Sequence, residues 1–134
     1  SMKIWVNGCF DILHRGHYEL FNYAKSLGDT LTVSIDSDEK VAYDKGPDRP
    51  YNKLEDRVYA LESLRAIDQV WVFDTRGHLV DQIKRYSPDI IVVGSDWKNK
   101  EVVGGIYAKK IVYFNRLEGY STTNILSNER KQTV

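Results

Sequence analysis

The sequence predicts a single α/β domain in which helices cover both faces of a five-stranded parallel sheet. Short apolar runs alternate along the chain with amphipathic stretches, as in strand–helix–strand units. The run at 89–93, "DIIVV", is apolar almost throughout, which is typical of a strand covered on both faces. With 134 residues and 42% hydrophobic residues, the chain can bury one substantial core.

The strands are assigned to five short apolar runs, each rich in β-branched or aromatic residues and bounded by turn-forming residues. They cover residues 3–6, 30–35, 69–73, 89–93 and 110–114. Helices are predicted over 18–27, 53–67 and 78–86, where apolar residues recur at helical spacing, and a closing helix is expected from Ser121. Residues 36–52 and 94–109 are expected to be loops. Together these elements predict a Rossmann-like three-layer sandwich.

Composition limits the functions open to this chain. Lysine plus arginine and aspartate plus glutamate both number 19, so no global field would attract nucleic acid or an anionic membrane. Cys9 is the only cysteine, which excludes an internal disulfide and favours a cytoplasmic protein. No run approaches the roughly 18 apolar residues of a membrane span. No apolar leader is expected, and Ser1 before Met2 is interpreted as a cloning remnant.

Ligands of such sheets bind beyond the carboxyl ends of the strands, so the loop after the first strand is a candidate ligand site. In "NGCFDILHRGH", His14 precedes the predicted helix and His17 opens it. Free N–H groups and the helix dipole favour an anion there, and Gly8 and Gly16 allow the backbone to approach it. The alternatives are a pair of capping histidines or a metal site. A metal site would favour i,i+4 spacing and further ligands.

A second candidate anion site follows the last predicted strand. In "RLEGYSTTNI" (116–125), Ser121 and Thr122 carry hydroxyls at a predicted helix start, and Arg116 could grip two phosphate oxygens. Helix capping by Ser121 is the alternative interpretation.

The stretch "GCFDILHRGH" resembles the HxGH signature of a nucleotidyltransferase family that includes glycerol-3-phosphate cytidylyltransferase, ADP-heptose synthase and pantetheine-phosphate adenylyltransferase. The resemblance covers about residues 3–126. In this family a phosphorylated acceptor attacks the α-phosphorus of a nucleoside triphosphate, and pyrophosphate leaves. The resemblance implies catalytic roles for four residues that contact the triphosphate, namely His14, His17, Lys45 and Arg116. Nucleotide-binding residues are implied at Gly8, Cys9, Phe10, Asp11, Gly16, Gly94, Asp96, Trp97, Ser121 and Thr122.

The middle loops resemble two different members of the family. The stretch "KGPDRP" is similar to ADP-heptose synthases, and it implies that Lys45 reaches the phosphates and that Arg57 and Asp36 bind the acceptor. The stretch "VVGSDWKNK" is similar to glycerol-phosphate cytidylyltransferases, with Asp96 and Trp97 beside the nucleobase or ribose. Solvated charges in the first loop, and a tryptophan packed on the rim in the second, are the alternatives.

The leading expectation is therefore a cytidylyltransferase that uses CTP and a small phosphorylated polyol or sugar, such as glycerol 3-phosphate. The alternative is an ATP-dependent adenylyltransferase acting on heptose 1-phosphate or a related sugar. A non-catalytic nucleotide-binding module is a third hypothesis. We expect Mg²⁺ to arrive with the triphosphate without a dedicated metal site. The family resemblance also implies a homodimer, with no nucleic-acid or membrane partner.

Overall fold

A computed structural model describes residues 1–115 and the backbone of residues 120–125. In this part of the chain the order of elements is β1 (Lys3–Gly8), α1 (Arg15–Ser26), β2 (Thr30–Asp36), α2 (Asp38–Lys45), α3 (Leu54–Glu62), β3 (Gln69–Phe73), α4 (Arg76–Tyr86), β4 (Ile90–Gly94), β5 (Lys110–Asn115) and β6 (Tyr120–Ile125). Two short 3₁₀ turns, Ser95–Trp97 and Gly105–Tyr107, lie between β4 and β5. None of the described helices is long and apolar enough to cross a bilayer.

The strands form one sheet in the order β3-β2-β1-β4-β5-β6. The first five run parallel, and β6 runs antiparallel to β5 at the edge. The five-stranded parallel sheet predicted from the sequence is therefore confirmed, with one antiparallel strand added to it.

The sheet is divided between β1 and β4. Pairing between these strands covers only Ile4 with Ile90 and Trp5 with Ile91. Beyond these pairs β1 continues alongside β2 as far as Gly8, and β4 continues alongside β5. The chain builds outward in one direction from β1 and in the other from β4, so this division is the topological switch point of the sheet.

Helices cover both faces, and alternate residues of each strand supply the two cores. On one face α1 and α3 pack against the sheet through a buried cluster of Leu20, Phe21, Ala24 and Leu61 with Ile4, Val6, Leu31 and Val33. On the other face α4 packs through Leu79, Ile83 and Tyr86 against Trp5, Ile91 and Ile111. Three-layer packing is therefore confirmed.

Residues 38–45 form helix α2, although the sequence predicts a loop there. The hydroxyl of Ser37 accepts a hydrogen bond from the Lys40 N–H at 3.1 Å and caps the helix start. Val41 is its one buried residue, so helical apolar periodicity is almost absent. The sequence contains the Ser37 cap, but α2 lacks the apolar stripe that normally indicates a helix.

The closing helix predicted from Ser121 is wrong. Residues Tyr120–Ile125 form β6, in which Ser121 lies opposite Phe114 and Thr122 opposite Tyr113. The stretch "YSTTNI" combines aromatic and β-branched residues that favour strands, and pairing covers the otherwise open edge of β5. The helix-cap interpretation of Ser121 falls with the helix.

Gly104 is expected to be essential for packing on the α4 face. Its φ is +72°, and an added Cβ would lie 2.6 Å from Cδ1 and 3.1 Å from Cβ of the fully buried Ile83. We expect Gly104→Ala to destabilise the fold by about 2–4 kcal/mol in chemical denaturation, from backbone strain and overpacking. The matched control is Gly77→Ala in the first turn of α4, where the nearest atom is 3.9 Å from the added Cβ. It should be neutral or stabilising by up to about 1 kcal/mol; equal losses would contradict the packing argument.

Candidate active site

The two histidines of the first loop cap helix α1 together. His14 is the N-cap residue, with extended backbone, and its Nδ1 accepts a hydrogen bond from the Gly16 N–H at 3.1 Å. The Nδ1 of His17 accepts from the backbone N–H of His14 at 3.2 Å. The ring centroids are 4.0 Å apart. The capping role and a shared ligand site are therefore compatible, because capping uses only one nitrogen of each ring.

These caps determine which ring nitrogen carries the proton. A nitrogen that accepts a backbone N–H has no proton of its own, so each neutral imidazole carries its proton on Nε2. The His14 side chain is exposed and that of His17 partly exposed. The first turn of α1 contains no acidic residue, so its dipole remains available to an anion. The loop can thus present the imidazole of His14 and a helix N-terminus to one anion, with the His17 ring beside them.

Phe10 fixes the loop to the core. It adopts a left-handed backbone conformation with φ +50°. Its ring packs edge-on against Phe21 (centroids 5.0 Å apart) and against His17 (5.4 Å). It also lies over Gly8. Phe10 and Gly8, both expected to contact nucleotide, thus pack against each other. The Phe10 ring also supports the His17 ring.

The Asp11 carboxylate holds the first loop against residues 49–52. Its side chain is only 5% exposed. Its oxygens accept hydrogen bonds from the backbone N–H groups of Tyr51 at 2.7 Å and Asn52 at 2.8 Å. Burial would raise the pKa of Asp11, but these bonds and the nearby Arg49 outweigh it and hold that pKa below the ordinary aspartate value. These contacts orient the first loop, and the nucleotide contact expected of Asp11 stays a prediction.

Arg49 is held beside this contact. Its guanidinium lies 3.4 Å from the Asp11 carboxylate and stacks over the Tyr51 ring, 4.4 Å from the ring centroid. The Arg49 side chain remains 29% exposed, so one face of the planar group is open toward solvent.

Arg57 occupies a different position from the one expected. The sequence indicates an acceptor contact, but its side chain is 0% exposed. Its guanidinium donates to the backbone carbonyls of Cys9, Asp36 and Asn52 and to the carboxylate of Asp38. The Arg57 side chain therefore has no exposed surface in this structure from which to contact an acceptor.

Lys45, Asp36 and Cys9 form one electrostatic cluster at the carboxyl ends of β1 and β2. Burial raises the pKa of the Cys9 thiol, and the charges of Lys45 and Arg57 oppose that rise. Burial likewise raises the pKa of Asp36, whose side chain is 14% exposed, although the Lys40 ammonium lies 3.7 Å away. Lys45 also acts on Asp36 and is itself exposed at the end of α2. A free ammonium thus lies beside the loop that carries the histidines.

Across the switch point, the end of β4 carries the predicted nucleobase side of the site. The Asp96 carboxylate folds back over Gly94: a Cβ on this glycine would lie 2.7 Å from Asp96 Oδ1. The absence of a side chain at Gly94 thus makes room for Asp96. The Trp97 ring is 44% exposed, so a flat apolar surface remains available at this rim.

The remaining predicted site residues lie beyond β5. Arg116 is outside the described residues. Only the backbone of Ser121 and Thr122 is described, at the start of β6 opposite the end of β5. This backbone lies at the sheet edge where β1, β4 and β5 end.

The described residues, 1–115 with the backbone of 120–125, contain no group of three or more His, Cys, Asp or Glu side chains placed to hold a metal ion. Sequence reasoning missed Tyr51, Asn52 and Asp38 as partners of Asp11 and Arg57. Tyr51 acts through its backbone N–H, which leaves no residue-type signal, whereas Asn52 also donates from its side-chain Nδ2 to the Asp11 carbonyl at 2.7 Å. Asp38 could have been found from the Ser-Asp-Glu sequence at the helix start.

Comparison with known proteins agrees with this geometry. Residues 5–128 match the family model described as cytidylyltransferase-like. The chain is 42% identical over all of its length to "Bifunctional protein HldE" of Helicobacter hepaticus, and 47% identical over 95% of its length to the protein of that name from Nitratiruptor sp.. It covers only 28% and 27% of these relatives, respectively.

A solved structure is also similar. The lipopolysaccharide core biosynthesis protein from Thermoplasma volcanium superposes with a TM-score of 0.63 at 29% identity, over 71% of this chain and 75% of that one. The family match spans both the histidine loop and the division between β1 and β4. The chain belongs to the cytidylyltransferase-like family of nucleotidyltransferases.

Proposed function

We propose that the chain transfers an adenylyl group from ATP to a sugar phosphate, heptose 1-phosphate or a close relative, and releases pyrophosphate. The observation that carries the proposal is the imidazole pair of His14 and His17 at the start of α1, with Nδ1 of each ring engaged by a backbone N–H. Imidazoles at a helix N-terminus suit a polyphosphate at the switch point of the sheet.

The comparisons favour ATP and a sugar over the leading expectation of CTP and glycerol 3-phosphate. The curated relatives are HldE proteins, ADP-heptose synthases that contain an adenylyltransferase domain. This agrees with the resemblance of residues 36–57 to such enzymes. The "GSDW" stretch at 94–97 still resembles cytidylyltransferases, which makes nucleobase choice the decisive measurement.

The reaction is an in-line displacement. An oxygen of the acceptor phosphate forms a bond to the α-phosphorus, the bond between that phosphorus and the bridging oxygen breaks, and its electron pair leaves with pyrophosphate. The acceptor phosphate is already anionic at neutral pH, so no protein base is required. The protein aligns the reactants and stabilises the charge on the phosphate oxygens. We assign this stabilisation to His14, His17, Lys45 and Arg116.

Mg²⁺ is proposed to enter as the complex of the triphosphate. The ion prefers oxygen ligands and retains several waters, so phosphate oxygens and one carboxylate suffice. The Asp11 carboxylate is already occupied by backbone N–H donors and Arg49, and we give it no metal role. Asp36, at the carboxyl end of β2, is proposed to face the acceptor.

Substrate choice is the first test. We expect pyrophosphate release with ATP and heptose 1-phosphate to exceed that with CTP and glycerol 3-phosphate by at least about tenfold, the discrimination that one or two hydrogen bonds supply. A coupled assay over both triphosphates and a panel of acceptor phosphates measures it. Preference for CTP would restore the cytidylyltransferase reading, and nucleotide binding without turnover would favour a non-catalytic module.

The histidines can be tested without removing their caps. His14→Asn retains a side chain suited to the N-cap position, and His17→Gln retains the N3 residue of a capping box, but both lose the imidazole. We expect each to lower kcat by about 10²–10³-fold, as for the loss of one transition-state donor, with little change in Tm. Steady-state kinetics and thermal melts measure this. Turnover near that of the original chain would remove the histidine concerned from the mechanism.

The ionised carboxylate of Asp36 is expected to lower the stability of the folded protein at neutral pH. Its folded-state pKa is raised above the ordinary value, mainly by burial, so its ionised form disfavours the folded state. We expect Asp36→Asn to raise Tm at pH 7 by roughly 2 °C, with the gain disappearing as pH falls toward about 4, where the unfolded carboxyl protonates. Thermal melts across this range measure it. Asp81→Asn, an exposed change on α4, controls for loss of one carboxylate. A lower Tm at pH 7 would contradict the argument.

A further inference from the structure

The guanidinium of Arg57 lies where the pairing of β1 with β2 ends. The last paired residues are Gly8 and Ile35. The next carbonyls along each strand belong to Cys9 and Asp36, and both accept from Nη1 of Arg57, at 3.2 and 2.8 Å. Nη1 of Arg57, a residue of α3, therefore joins the two strands one residue beyond their last backbone pair.

The same side chain fixes α2 and the loop after it. Nη2 donates to the Asp38 carboxylate at 2.7 Å, in the first turn of α2, and Nε donates to the Asn52 carbonyl at 3.0 Å. All three nitrogens of the fully buried guanidinium thus donate hydrogen bonds, although its Asp38 partner is 38% exposed. Burying a cation costs several kcal/mol unless its hydrogen bonds are satisfied, and here four acceptors satisfy them.

We propose that Arg57 is a positioning residue that fixes the histidine loop relative to Lys45. The inference rests on the proposed function and adds to it a residue that acts through others. Cys9 belongs to the loop that carries the histidines, and Asp38 begins the helix that ends at Lys45. A single planar group therefore sets the separation between the two segments assigned to the triphosphate.

A lysine cannot replace this group. Its ammonium is one point charge with three donors, whereas the four acceptors here are spread around a planar fork. Arg57→Lys preserves charge and most of the buried hydrocarbon, so it tests the fork itself. Because misplacement by about 1 Å can cost roughly 10²-fold in rate, we expect Arg57→Lys to lower kcat/KM for ATP by about 30-fold or more. The exposed Arg65→Lys, after the end of α3, is the matched control and should remain within about twofold.

A double-mutant cycle distinguishes positioning from a general structural role. If Arg57 acts through Lys45, Arg57→Lys should cost far less, about threefold or under, in a Lys45→Ala background than in the original chain. A general loss of folded protein would instead reduce the rate by the same factor in both backgrounds. Equal factors would overturn the proposal.

Amide hydrogen exchange provides a readout that does not depend on turnover. In Arg57→Lys we expect faster exchange at residues 9–17 and 36–45 together, with β4 and β5 unchanged. Unchanged exchange in either of the first two segments would overturn the proposal, even if activity were lost. If Arg57→Lys does not fold, Asp38→Ala removes one acceptor at a partly exposed position and should give the same pattern at smaller amplitude. If the original chain released no pyrophosphate with any substrate pair, the proposed function would be refuted. Amide hydrogen exchange would still decide whether Arg57 joins the two segments.

Discussion

The division of the sheet between β1 and β4 is the constraint on which the site depends. Parallel strands all end at one edge, but only two residue pairs join these central strands before they separate. The backbone beyond Trp5 and Ile91 has no strand partner across the division, and polar backbone groups without partners are costly when buried. Loops and a polar ligand can satisfy them, so the division is the position at which a ligand of this sheet is expected.

The first loop shows how one set of side chains can serve both folding and chemistry. His14 and His17 cap the start of α1, as serine and glutamine would, and each does so through Nδ1, one of the two nitrogens of its ring. Two further residues hold the same loop. The Phe10 ring packs against His17, and the Asp11 carboxylate accepts a hydrogen bond from the Tyr51 N–H. The Phe10 ring and the Asp11 carboxylate, although chemically different, thus both help to orient the two imidazoles.

The sequence predicted those elements whose stability comes from apolar burial. The five parallel strands and α4 appear close to their expected positions because each has a regular apolar pattern. Helix α2 was missed because it buries only Val41. Strand β6 was missed because its Ser-Thr-Thr run was interpreted as a helix start, whereas it pairs antiparallel with the preceding strand β5. The burial of Arg57 was also not predicted. Its partners are mostly backbone carbonyls, which every residue type supplies, so no pattern of letters could have indicated them.

The two ends of the segment from Asp38 to Asn52 meet at the same guanidinium. The segment is therefore a closed excursion whose base is clamped from outside by α3 and by Asp11 of the first loop. Loop-closure entropy changes by only about 0.6 kcal/mol when such an excursion doubles in length. The stretch between Lys45 and Arg49 could thus lengthen during divergence with little effect on the fold beneath. A longer stretch there would change what borders the site while α2 still holds Lys45 in place.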